Sequence, residues 1–136
     1  MKNLKYFESF TNNTIQEIDK LEWRSYMGRY VYIEPQEINI ILNLVDKKKW
    51  TLHPGYDTLQ KIVSGEFDYR TTQIAFILNR SPKSRIYIDK LEDEWFLVRL
   101  NKLHPDNAFT FKYFRCDQID SVEFLLKKLI DTYFPT

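Results

Sequence analysis

The last third of the chain constrains the fold more than any other stretch. Three runs rich in β-branched and aromatic residues, Arg85 to Leu91, Trp95 to Asn101 and Phe109 to Cys116, are separated only by Glu92-Asp-Glu94 and by Lys102-Leu-His-Pro-Asp-Asn107. That pattern predicts an antiparallel meander. Asp117 then stands where a helix cap belongs, and Ile119, Val122, Leu125, Leu126, Leu129, Ile130 and Tyr133 recur as one apolar stripe at helical spacing. A C-terminal helix laid across the sheet is expected, so residues 84–134 form a strand-strand-strand-helix module.

Upstream the signals are helical. Thr14-Ile-Gln-Glu17 has the capping-box pattern, with Ile15, Ile18 and Leu21 on one face and Gly28 as a stop, which predicts a helix from Thr14. Tyr30 to Ile33 alternates β-formers before Glu34-Pro35, where proline suits a first helical turn. Ile38, Ile41, Leu42 and Val45 make that second helix a core element. His53-Pro-Gly-Tyr-Asp57 reads as a loop ending at an Asp57 cap, followed by a short helix through Leu59, Ile62 and Val63 to Gly65. Thr72 to Leu78 reads as a strand, although the same run also fits a helix. The expected class is α+β: N-terminal helices, then a meander of about three to five strands under a C-terminal helix. Residues 1–136 form a single domain, with 1–13 as a lead-in segment.

Composition narrows the function classes. A chain of 136 residues, 43% hydrophobic and 16% aromatic, is long enough to bury one substantial core. Twenty basic and 19 acidic residues leave a net charge of +1, so no global field draws the molecule to nucleic acid or to a membrane. Any such binding must be local. The longest apolar runs, such as Ile38 to Val45, are too short to span a bilayer, and no signal-peptide pattern precedes the domain, so a cytoplasmic location is expected. Three glycines disfavour a phosphate-cradling loop. Cys116 is the only cysteine, which excludes an internal disulfide and implies a reduced thiol.

The opening Lys-Tyr-Phe-Glu-Ser-Phe, together with Asp93-Glu-Trp-Phe96, Cys116-Asp-Gln118 and Phe124-Leu-Leu126, resembles uncharacterised small proteins of large tailed phages and other large DNA viruses. The likeness covers the leader and the last third. It implies a viral origin and a recurring strand, strand and helix module behind a variable N-terminal region. It brings no reaction or ligand with it, and Gly28 to Arg80 lies outside it.

Six groups of residues are candidate sites. Lys47, Lys48 and Lys49 beside Trp50 combine phosphate-neutralising cations with a ring for base stacking, against the plainer reading of solvated lysines at a helix end with Trp50 in the core. Arg70, Arg80, Lys83 and Arg85 fall in a stretch from Tyr69 to Ile88 without acidic residues, and with the lysines they form the best local basic surface. His53 and His104, each close to an aspartate, Asp57 and Asp106, suggest a metal or hydrolase pair, but lack the spacing of known metal motifs. Cys116 beside Asp117 would be a nucleophile at a helix start with His104 as base, against an ordinary buried thiol. Asp89, Glu92, Asp93 and Glu94 crowd one hairpin, as oxygen ligands or as a solvated turn. The leader aromatics Leu4, Tyr6, Phe7 and Phe10 are a docking peptide or an arm packed on their own domain.

No nucleophile with a base, phosphate loop or metal cluster stands out, and no cofactor is expected. The leading expectation is a non-enzymatic viral accessory protein that binds a host or virion protein through the meander or the leader. A nucleic-acid-binding module using Lys47, Lys48, Lys49, Arg80, Lys83 and Arg85 is second, and a small hydrolase using His53 and His104 is third.

Overall fold

The computed structural model describes residues 15–135. In chain order these form β1 (Ile15–Ile18), α1 (Lys20–Ser25), α2 (Pro35–Leu42), β2 (Trp50–His53), α3 (Tyr56–Ser64), β3 (Gln73–Leu78), β4 (Arg85–Lys90), β5 (Phe96–Leu103), β6 (Phe109–Cys116) and α4 (Ile119–Tyr133). The class is α+β, as expected, but the sheet has six strands instead of three to five. Every pairing is antiparallel, in the order β1-β6-β5-β4-β3-β2.

The two added strands come from the N-terminal half. Trp50 and Leu52 alternate with exposed Thr51 and His53 and pair with Leu78 and Phe76. The segment read as a helix from Thr14 is instead β1 followed by α1. Thr14 itself lies outside the described residues, as does the leader. The spacing of Ile15 and Ile18 suits a helix, but on a strand it sends them to opposite faces. Both faces have a hydrophobic cluster that receives them, Ile15 in the main core and Ile18 in a smaller one. Glu17 does not reach back to cap a helix; its carboxylate sits 3.2 Å from Lys112 on β6. The real cap is Asp19, whose Oδ1 accepts from the Glu22 amide at 2.7 Å.

The other local signals hold with shifts at their ends. Pro35 stands in the first turn of α2, and Glu34 and Glu37 complete a capping box. That helix stops at Leu42, and Val45 is buried beyond it. α3 starts on Gly55, so Asp57 lies in its first turn and is not the cap. Gly65 ends α3 at φ +80°, a conformation glycine adopts without a Cβ clash. Gln118 takes the capping position of α4, while Asp117 accepts from the Ser121 hydroxyl. Tyr30 to Ile33 forms no strand; Val31 and Ile33 donate backbone hydrogen bonds to Lys90 and Thr71.

Strand alternation sorts the sheet into two unlike faces. One carries Trp50, Leu52, Ile74, Phe76, Ile86, Ile88, Phe96, Val98, Leu100 and Phe114, packed against Ile38 and Ile41 of α2, Leu59 of α3 and Val122, Leu125 and Leu126 of α4. The other carries Tyr87, Asp89, Leu97, Arg99, Asn101, Phe109, Phe111, Tyr113 and Arg115 by register. Among the described residues, only the short α1 and the segment leading on from it pack on this face, with Trp23, Tyr26 and Tyr30 gathered about Leu97 and Ile18. No described element covers the rest of it.

Candidate nucleic-acid interface

One end of the sheet collects cations. β2 begins at Trp50 opposite Leu78, where β3 ends, and β4 begins at Arg85 opposite Ile77. The loop of Lys47 to Lys49 and the turn holding Arg80 and Lys83 therefore meet. Asn79 clasps them, donating from its backbone to the Lys49 carbonyl at 2.9 Å and from its amide to the Lys48 carbonyl at 3.2 Å. Thr51 Oγ1 donates to the Asn79 side chain at 2.6 Å. Lys47, Lys48, Lys49, Arg80 and Lys83 are exposed and Arg85 is half-buried. None of the six forms an ion pair with the described residues: Lys47 lies 5.2 Å from the Tyr56 ring centre, and Arg80 and Arg85 donate to the Pro135 and Pro82 carbonyls. Cations without carboxylate partners keep their counter-charge available to a ligand.

Arg85 belongs by register to the open face and joins the basic end to it. Next along that face come Tyr87, Asn101 and Phe111, with Phe109 nearest the β5–β6 turn. Phe109 and Phe111 are 40% and 52% exposed and stack on each other at 5.3 Å. β1 covers the outer edge of β6 only from Tyr113 to Cys116, so the stretch with the two phenylalanines has no strand beyond it among the described residues. Rings standing on a sheet face beside arginine and lysine suit unpaired bases, which offer flat π-faces and a charged backbone.

The far end of the same face is closed and internally neutralised. Trp23 of α1 stacks on Tyr113 at 4.9 Å, and the Arg99 guanidinium lies 4.9 Å from the Trp23 ring and 4.2 Å from the Tyr87 ring. Arg99 Nε is 3.5 Å from Asp89 Oδ2, an ion pair whose geometry falls short of a hydrogen bond, and Gln73 donates to Asp89 Oδ1 at 2.7 Å. Asp89 is 1% exposed. Burial pushes its carboxyl above the ordinary range, and the pull of Arg99 and Gln73 in the other direction is smaller. Burial, and then the Asp89 charge, likewise raise the Tyr30 phenol. Arg115 donates to Tyr26 and Gln16 and sits 3.9 Å from the Trp95 ring.

Other candidates separate. His53 ends β2 opposite Ala75, whereas His104 follows β5 at the opposite end of the sheet, bound to Thr110 at 2.6 Å. They form no pair. Asp57 sits in α3 and Asp106 caps the Ala108 amide of its own turn. Cys116 is fully buried at the far end of β6 from His104, and burial followed by the Asp117 charge raises its thiol strongly, the reverse of an activated nucleophile. Of the acidic hairpin, Asp89 turns into the open face, Glu92 pairs with Arg29 at 3.4 Å and Glu94 with Lys90 at 3.8 Å. Among the described residues no cluster of three or more potential ligands gathers for a metal. Trp50 is 3% exposed and edge-on to Phe134, so it serves the core and cannot stack on a base. Arg70 stands away from the basic end, 5.6 Å from the Tyr32 ring. Leu4, Tyr6, Phe7 and Phe10 lie outside the described residues.

The residues missed in the sequence are those of the open face: Tyr87, Arg99, Asn101, Phe109 and Phe111. The signal was partial: Arg85 and Tyr87 alternate with the core residues Ile86 and Ile88, and Tyr113 and Arg115 with Phe114 and Cys116, but Phe109 and Phe111 alternate with Thr110 and Lys112, so only the register of β6 places the two rings on this face. No protein-family model matches the sequence, and no curated protein or solved structure matches it significantly. Among the described residues no helix is long and apolar enough to cross a membrane.

Proposed function

We propose that this chain is a non-enzymatic binding module whose ligand is single-stranded nucleic acid. The strand lies on the open part of the sheet, with bases against Tyr87, Phe109 and Phe111 and phosphates on Lys47, Lys48, Lys49, Arg80, Lys83 and Arg85. The observation that carries this reading is the gathering of those six cations at one end of the sheet, none of them in an ion pair with the described residues, next to exposed rings. With a net charge of only +1, binding depends on this local surface and is strongly salt-sensitive. The likeness of the leader and the C-terminal motifs to phage and large-virus proteins supports a viral accessory role in the host cytoplasm or in the virion.

Fluorescence anisotropy with a labelled single strand of about 12 nucleotides, DNA and RNA in turn, tests it. Binding at about 50 mM salt should weaken steeply towards about 200 mM, and a Lys83→Glu/Arg85→Glu variant should lose most of it. No measurable binding by the parent protein at low salt sinks the proposal. A protein partner is favoured instead by one observation, the outward Leu21 and Met27 at 79% and 60% exposure. It takes precedence if nucleic acid fails and Leu21→Asp abolishes capture of a partner identified by cross-linking.

A further inference from the structure

A groove of about 370 Å3 runs between α1 and the open face, within the roughly 300–1,000 Å3 of small-molecule sites. Its α1 side presents Lys20, Trp23 and Arg24, with Met27 just beyond; its floor includes Asn101 and Phe111. Trp23 is held by its stack on Tyr113 and by the Arg99 guanidinium, so this wall is fixed before any ligand arrives. The indole Nε1 is buried without a hydrogen-bond partner. The Asn101 side-chain amide is half-exposed and forms no hydrogen bond with the described residues. Lys20 and Arg24 enter no ion pair with the described residues.

Charge separates this groove from the other clefts described. The cleft of about 510 Å3 beside Tyr32 and Phe67 is lined by Glu34 and Asp68, and that of about 240 Å3 beside Trp95 by Glu92 and Asp93. Among the described residues no carboxylate lines the groove under α1. It alone of the three matches an anion carrying a flat ring.

We propose that this groove is a subsite for one nucleobase of the bound strand. Its face rests on Phe111 and the Met27 thioether, its polar edge meets the Asn101 amide, and Lys20 and Arg24 neutralise the adjoining phosphate. An amide presents a donor and an acceptor side by side, so it pairs with the edge of one base better than with others. The open face therefore supplies affinity and the groove supplies base preference. This rests on the strand-binding reading above.

The test uses the full chain and four labelled homopolymers of about 12 nucleotides in anisotropy titrations. The parent protein should prefer one base by roughly five-fold or more over the weakest. Asn101→Ala should bring the four affinities within about two-fold of one another, whereas Lys83→Glu should weaken all four alike. Phe111→Ala, at an exposed position that tolerates truncation, should weaken the preferred base more than the weakest. An Asn101→Ala variant that retains the parental ratios overturns the subsite while leaving strand binding intact. Failure of all four homopolymers to bind the parent protein overturns the strand-binding reading and the subsite with it.

Discussion

The two ends of the sheet handle charge in opposite ways. At the end where β5 begins, Lys90 is buried with its ammonium 2.8 Å from Glu37, Arg29 meets Glu92, and Arg99 meets Asp89 further along the open face. Tyr26 and Trp95 take up Arg115. At the other end Lys47, Lys48, Lys49, Arg80, Lys83 and Arg85 have no ion-pair partner among the described residues, and Phe109 and Phe111 beside them face outward. Charges removed from water need partners, so the closed end spends its side chains on holding itself together. Exposed cations need none, and they add little to stability. The difference gives the closed end to folding and leaves the other end free for the ligand contact proposed above.

The largest expected effect lies at the closed end. Lys90→Met leaves Glu37 buried without its cation and should cost about 3–5 kcal/mol in denaturant unfolding; Lys90→Met with Glu37→Leu should recover much of that. A single variant as stable as the parent breaks the contrast. Next comes Phe111→Ala, which should cost about 1–3 kcal/mol of strand binding and leave unfolding nearly unchanged. Replacing Lys83 by glutamine should lower the slope of log affinity against log salt by about 1, again with little change in stability; an unaltered slope removes Lys83 from the interface.

A smaller effect concerns Asp89. Its carboxyl is raised in the folded chain, so the folded state holds that proton more tightly than the unfolded state does. Wild-type stability relative to Asp89→Asn should therefore fall as pH rises from the ordinary aspartate value of 3.8 through the folded midpoint, and then level off. Denaturant unfolding across that range reads the sign, and a wild-type advantage that grows with pH contradicts it. The least effect, within about 0.5 kcal/mol, is expected in the unfolding of a Lys47→Gln/Lys48→Gln/Lys49→Gln variant.

Much of this architecture is legible in the residues. The meander and α4 could be read because their periodicity is long and their breaks are polar; Glu34-Pro35 and Gly65 mark helix ends by local chemistry that tertiary contacts do not override. β1 was misread because Ile15 and Ile18 fit a helix stripe as well as opposite sheet faces, and only pairing with β6 decides between them. β2, four residues long, is too brief for periodicity to show. Of the site, the cations could be named, since charge needs no fold to be visible. Their convergence depends on the Asn79 clasp and on strand register, and the ring face depends on which side of each strand the helices cover. Trp50 shows the same limit from the other side: beside three lysines it fitted either a stacking ring or, in the plainer reading, a core residue, and its register places it in the core.

The most direct test of the division between the ends is a titration of 15N-labelled protein with a short single strand at low salt, followed by amide chemical shifts. The account predicts changes confined to Lys47–Lys49, Arg80–Tyr87, Asn101, Phe109–Phe111 and, at the groove, Lys20–Met27, with the amides around Lys90, Glu92 and Trp95 unmoved. Shifts centred on the closed end, or on the cleft beside Tyr32 and Phe67, would contradict it.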